Sequence, residues 1–198
     1  MQYFDTLPKL VYSDQNGVKT IRTNLLARVS VVPEVFKNPL IYYQYDIQDG
    51  DTPEIIAHKY YNDMYRYWII LFANEILDPQ WNWPLNTNQF NDFLASKYPS
   101  TNIYTTVHHY EKTITQFDIS TQTTTVNTVE ITQSDYNSFM PVNSTFTLPT
   151  GPVNYTTSAS VVNIYDYEVA QNEAKRTINI LNSQYIDQFE QEFKKLLS

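Results

Sequence analysis

The chain has 198 residues, of which 42% are apolar, 15% aromatic and 17% charged, enough to bury a core as one large or two small globular units and too apolar for disorder throughout. Thirteen basic against twenty-one acidic residues give a formal charge of −8, which opposes binding to a phosphate backbone or an anionic lipid surface, so neither nucleic acid nor membrane is an expected partner. The absence of cysteine excludes a disulfide framework, a thiolate metal site and a thiol nucleophile.

The three glycines, Gly17, Gly50 and Gly151, are too scattered for a dinucleotide fingerprint or a phosphate-cradling loop. The longest apolar run, Tyr67 to Ala73, is far short of the roughly 20 residues that cross a bilayer. Met1 to Asp5 has no basic stretch ahead of an apolar one, so no secretory signal is expected and the chain reads as cytosolically made and soluble.

In chain order, Lys9 to Tyr12 and Val18 to Ile21 flank Asn16-Gly17, which predicts an N-terminal hairpin. Asn24 to Val32, followed by Pro33 and Pro39, reads as a connector. Tyr43, Tyr45 and Ile47 alternate with polar residues as in a half-buried strand, and Asp49-Gly50-Asp51 makes a turn. A helix follows, capped by Asp51 or Thr52 with Pro53 in its first turn and Glu54 completing a capping box with Asp51. Its apolar stripe is Ile55, Ile56 and Tyr60 with Lys59 snorkelling, and a second helix over Met64 to Asn74 is too apolar for the surface.

Asp78 to Pro84 holds Trp81 and Trp83 between two prolines and is expected to be non-helical and folded back onto apolar surface. Thr87 or Asn88 opens a helix that ends at Pro99. Ser100 to Ser160 is rich in Thr, Asn and Ser and predicts short exposed strands, with Thr121 to Thr125 and Pro141 to Tyr155 as loops. The C-terminus reads as two helices, one from Tyr165 through Ile180 and one carrying Tyr185, Ile186, Phe189 and Phe193, capped by Ser183.

His108-His109 invites a metal reading, but neighbours on a regular strand point to opposite faces, so no metal or other cofactor is expected. The acid pairs Asp49 with Asp51 and Glu190 with Glu192 are better explained by capping and solvation than by glycosidase chemistry. No strand-to-helix elbow surrounds a serine, which leaves a Ser-His-Asp hydrolase unsupported. Seventeen tyrosines suit both core and protein interfaces. Trp81, Trp83, Tyr185, Phe189 and Phe193 are the candidate interface residues, while Trp68 is a core candidate.

The run Tyr45 to Ala57, containing Gly50-Asp51-Thr52, followed by Tyr60 and by Asn74 after a second helix, resembles a lysin-motif (LysM) module. With Trp68, the Asp78-to-Leu85 segment, His108 to Glu111 and the Asn172-to-Arg176 helix, nearly the whole chain is similar to a baseplate wedge subunit of contractile-tailed, T-even-like phages. The resemblance implies an α+β fold: an N-terminal hairpin and connector (1–42), a LysM-like βαα unit with tryptophan segment and closing helix (43–99), an inserted Thr-rich β segment or arm (100–162) and a C-terminal helical pair (163–198). Gly50, Asp51, Thr52 and Asn74 would be its turn and fold positions.

It further implies a non-enzymatic virion protein of the tail baseplate, assembled in the host cytoplasm and present in about six copies per baseplate, which joins the wedge and fastens neighbouring wedges around the central hub. Its partners would be other wedge and inner-baseplate proteins. The apolar stripe of the last helix must dock on its own domain or on a neighbour: removal of Ser183 to Ser198 is expected to leave a soluble chain that no longer enters a wedge, whereas collapse of the fold would mean that these helices are core. The rival reading is a peptidoglycan- or chitin-binding LysM module that anchors through the Gly50-to-Thr52 turn. The Thr-rich part from about Thr113 to Val161 matches no motif.

Overall fold

The computed structural model describes residues 3–27, 40–149 and 151–197. The chain divides into two compact units, a discontinuous one of residues 1–90 and 173–198 and a contiguous one of residues 91–172. The expected connector beyond residue 27, with Pro33 and Pro39, lies outside the described residues.

In the first unit, strands β1 (Lys9–Ser13) and β2 (Lys19–Thr23) form an antiparallel hairpin, and Gly17 takes the positive φ of +77° that its turn needs. Strand β3 (Tyr42–Asp46) leads to α1 (Pro53–Tyr61), a 3₁₀ turn at Met64–Arg66 and α2 (Tyr67–Ala73). Thr52 caps α1, its hydroxyl accepting the Ile55 N–H at 3.3 Å. Asp51 makes no capping box because its carboxylate is turned back to β3, where it accepts from the Tyr45 hydroxyl at 2.6 Å and the Gln48 N–H at 3.0 Å.

The buried stripe of α1 is Pro53, Ile56, Ala57 and Tyr61, one position round from the expected one, and Ile55 is exposed. As expected, α2 is buried on most sides, through Trp68, Ile69, Ile70 and Ala73. Asp78-Pro79 starts a short helix after all, α3 (Pro79–Asn82): proline suits a first turn whose N–H would be unpaired anyway, and the Asp78 carboxylate accepts the Gln80 N–H at 3.0 Å. Helix α4 (Thr87–Lys97) follows.

The second unit is built on an antiparallel sheet of strands β4 (Val107–Asp118), β5 (Thr123–Ile131), β6 (Asn143–Leu148) and β7 (Gly151–Asn163), in the order β5-β4-β7-β6. The stretches read as loops, Thr121 to Thr125 and Pro141 to Tyr155, contribute three of these strands, because β-branched Thr and Val make a good ladder even when the segment is polar overall. A short helix α5 (Gln133–Asn137) stands after β5, with Tyr136 against Tyr110, ring centroids 4.8 Å apart.

Helix α6 (Ile164–Glu173) stops far short of Ile180, and Thr177–Leu181 is strand β8, paired antiparallel to β3 with Tyr43 opposite Ile180 and Tyr45 opposite Ile178. Alternate burial of Ile178 and Ile180 is the period of a strand, which the helical reading missed. Asn182, not Ser183, accepts the N–H of Gln184 and opens the 3₁₀ turn Ser183–Tyr185 ahead of α7 (Ile186–Leu197).

The apolar stripe of α7 docks on its own unit. Ile186, Phe193 and Leu197 join Ile56, Ile69, Ile70, Ile178 and Ile180 in one core. Phe193 lies 4.8 Å from Trp68 and 5.4 Å from Phe72, centroid to centroid, and Tyr3 closes the cluster. Arg66 fastens the polar side of α7, bonding Glu190 at 3.0 Å and Asp187 at 3.2 Å.

Of the two dockings open to this stripe, the placement is the one on its own unit, so residues 183–198 are core rather than dispensable for folding. Their removal will unfold the first unit, seen as lost near-ultraviolet circular dichroism. Phe193→Ala will lower unfolding stability by about 3–5 kcal/mol in urea titration.

Candidate functional site

The turn between β3 and α1 is held from several sides. Gly50 has φ +88°, a left-handed conformation that reverses the chain within four residues, and the Asp51 N–H closes the turn on the Gln48 carbonyl at 3.0 Å. Asp49 reaches forward to the start of α4, where Oδ1 accepts the Thr87 N–H and Oδ2 the Thr87 hydroxyl, each at 3.0 Å. A carboxylate at the first turn of a helix also meets the positive end of its dipole. Both carboxylates of the turn are thus taken up by donors, and each serves structure rather than proton transfer.

Tyr45 donates to Asp51 and receives the Lys59 ammonium at 3.3 Å. Burial, then the bond to Asp51, raises its phenol above the ordinary value. Arg176 ties the turn to the returning chain: its Nη1 donates to the Ile47 carbonyl at 3.1 Å and its Nε to Glu173 at 2.7 Å. Arg176 ends the Asn172-to-Arg176 run that carries the resemblance, but its bond to the turn has no signal in the sequence, where it reads as one more residue of a long helix.

The tryptophan segment folds over this turn. The Trp83 indole N–H donates to the Asp51 carbonyl at 2.9 Å, and Lys175 Nζ donates to the Trp81 carbonyl at 2.7 Å. What is left open is a groove of about 330 Å³ lined by Gly50, Thr52, Glu54, Gln80, Trp83 and Gln89 among others. Trp83 is half-buried in its wall, whereas Trp81 remains 66% exposed and Leu77, four residues earlier, 94% exposed.

Asn74 lies away from the groove. Its side-chain amide donates to the Asn179 carbonyl at 2.8 Å and accepts the Asn179 N–H at 2.7 Å, so it bonds the edge of β8 that β3 leaves free. Of the C-terminal candidates, Phe193 is buried in the core, and its ring is therefore not available to a partner. Tyr185 and Phe189 are half-buried against the same core. Of the expected interface residues, Trp81 is the one that stands exposed.

In the second unit, a β-bulge between Val107 and His109 turns the two histidine rings together instead of onto opposite faces. Their Nδ1 atoms are 2.8 Å apart, and His109 Nε2 is 2.9 Å from Glu111. His108 also stacks on Tyr167 at 3.8 Å. Among the described residues, no group of three or more His, Cys, Asp or Glu side chains has the arrangement of a metal site.

Glu168 on α6 is buried and accepts from Lys97 Nζ and the Tyr98 hydroxyl, each at 2.7 Å. Burial alone would push its carboxyl up, but the bonds from Lys97 and Tyr98 outweigh it and hold the group below its ordinary 4.5. The Lys97 ammonium, bonded to Glu168, is held above its ordinary 10.5.

The lowered carboxyl contributes stability above pH 4.5 that is lost as the pH falls through its folded value. The raised ammonium contributes below pH 10.5 and loses its share as the pH climbs through its own folded value. Glu168→Gln should therefore destabilise the second unit at neutral pH and flatten its acid-side stability loss, measured by urea unfolding as a function of pH. Trp83→Phe should cost about 1 kcal/mol through the orphaned Asp51 carbonyl.

Among the described residues, no helix is long and apolar enough to cross a membrane. A family model described as base plate wedge protein 53 matches residues 23–196. No curated protein matches the chain. The chain belongs to the base plate wedge protein 53 family, which makes it a structural component of a phage tail baseplate, associated there with other baseplate proteins.

Proposed function

We propose that this base plate wedge protein joins the wedge and fastens neighbouring wedges around the central hub of a contractile tail, in about six copies per baseplate, without catalysing a reaction. The observation that carries this reading is the contrast within one segment: Trp83 is pinned to the Asp51 carbonyl, and two residues earlier Trp81 is presented to solvent on a backbone held by Lys175. A rigid support under an exposed indole, with Leu77 beside it in sequence, is suited to anchoring a partner at low entropic cost. Of the carboxylates that line the groove, Asp51 and Asp49 are committed to the Tyr45 and Thr87 bonds and Glu54 is left, which fits a fastening role better than hydrolysis by a carboxylate pair.

We also infer that β3, α1, α2 and β8 form a LysM-like unit whose last strand is delayed by the second unit. The support is the antiparallel β3–β8 pair with two helices following its first strand, and the Gly50-Asp51-Thr52 turn at its usual place in that order. This unit favours the glycan reading only as ancestry, because Trp83 and Thr87 bond two residues of the turn from within the chain.

Leu77→Asp with Trp81→Ala will leave circular dichroism and unfolding midpoint nearly unchanged and abolish incorporation into baseplates, scored by complementation of a mutant phage and by the protein content of purified baseplates. Normal incorporation of this variant would refute the anchoring role. Retention of the wild-type chain on chito-oligosaccharide beads would instead support the glycan reading.

A further inference from the structure

The β1–β2 hairpin is exposed at every position of both strands, an unusual state for two strands that carry Leu10, Val11, Tyr12 and Ile21. Two strands alone are marginal in water, and among the described residues the only sheet partner of each is the other. Its root is nevertheless fixed. Leu7 is buried in the core, Ala27 packs against that core, and the Asn24 N–H donates to the Pro8 carbonyl at 2.8 Å.

One face pairs Val11 with Ile21, 68% and 73% exposed, between Lys9 and Lys19. The other holds Arg22 at 4.2 Å over the Tyr12 ring. All charged side chains on the two strands are basic, and the one acid of the hairpin, Asp14, accepts the Asn16 and Val18 amides in the turn. The hairpin also lies almost wholly before the residues that the family model matches.

A complementary edge exists on the same chain. Strand β5 ends the four-stranded sheet, is exposed from Thr123 to Glu130, and contains neither the lysine nor the proline that usually protects an edge. Glu130 stands directly opposite Glu111, a like-charge pair that a cation would relieve. Residues 91–172 carry seven acidic and two basic side chains, a net of −5.

From this we propose that the hairpin is an exchange arm whose outer edge adds to strand β5 of a second copy of this chain. Backbone bonds would supply the affinity, and Lys9, Lys19 or Arg22 beside Glu130 the orientation. Such a contact joins two different surfaces, so it closes either as a reciprocal two-fold exchange or, head-to-tail, as a ring or an open chain. It is independent of whether Trp81 anchors a different protein.

Sedimentation velocity of the full chain over a micromolar series tests it. Wild type should show concentration-dependent association that weakens with salt. Val11→Asp with Ile21→Asp, and separately Thr124→Lys with Thr128→Lys, should each sediment as a monomer with native circular dichroism. Mixed, the two variants should form a one-to-one dimer and stop, since the first keeps an intact β5 and the second an intact arm. A monomeric wild type, unchanged association of either variant, or a mixture that stays monomeric would each overturn the proposal. Loss of the arm variant from baseplates with a monomeric wild type would assign the arm to another protein.

Discussion

The first unit depends on the pairing of β3 with β8. Thr177 bonds Asp46 at 2.8 Å across 131 positions of sequence, and every core residue after Ala73 reaches the core because this ladder returns the chain to it. Closing a loop of that length costs only slightly more entropy than closing a shorter one, since the penalty grows with the logarithm of length. A whole sheet can therefore be carried between the two halves of a small core. The cost falls on kinetics instead, because the last strand and α7 join only after the intervening residues are made.

The turn that follows β3 is a junction between elements rather than a free surface. Asp49 and Asp51 face different elements, Arg176 closes on the Ile47 carbonyl, and the Trp83 indole covers the Asp51 carbonyl. Each bond consumes a group that would otherwise face solvent. Trp81, by contrast, gains a fixed backbone and keeps its ring in water. The two indoles have the same chemistry and opposite employment, decided by which of them can reach an acceptor.

Much of this was legible in the residues. The hairpin at Asn16-Gly17, the Pro53 start of α1 and the buried character of α2 follow from local chemistry that nothing distant contradicts. The misreadings share a cause. Thr177–Leu181 is too short for its period to stand out beside a preceding helix, and its identity as a strand is conferred by β3. Pro79 and the histidine pair depended on an N-cap and a bulge, each set by single-residue geometry. In the site, Gly50 to Thr52 could be found from sequence; the roles of Arg176, Asp49 and Trp83 could not, because their partners are remote in the chain or invisible to periodicity.

Asn74 occupies the outer side of β8 with one amide, as a strand of a single residue would. That rung is consequently sealed, and the small sheet beneath it offers no register onto which a stray segment could grow at that point. Strand growth is thereby barred at Asn179, and that place beside the core is insulated against promiscuous stacking by nothing larger than a carboxamide.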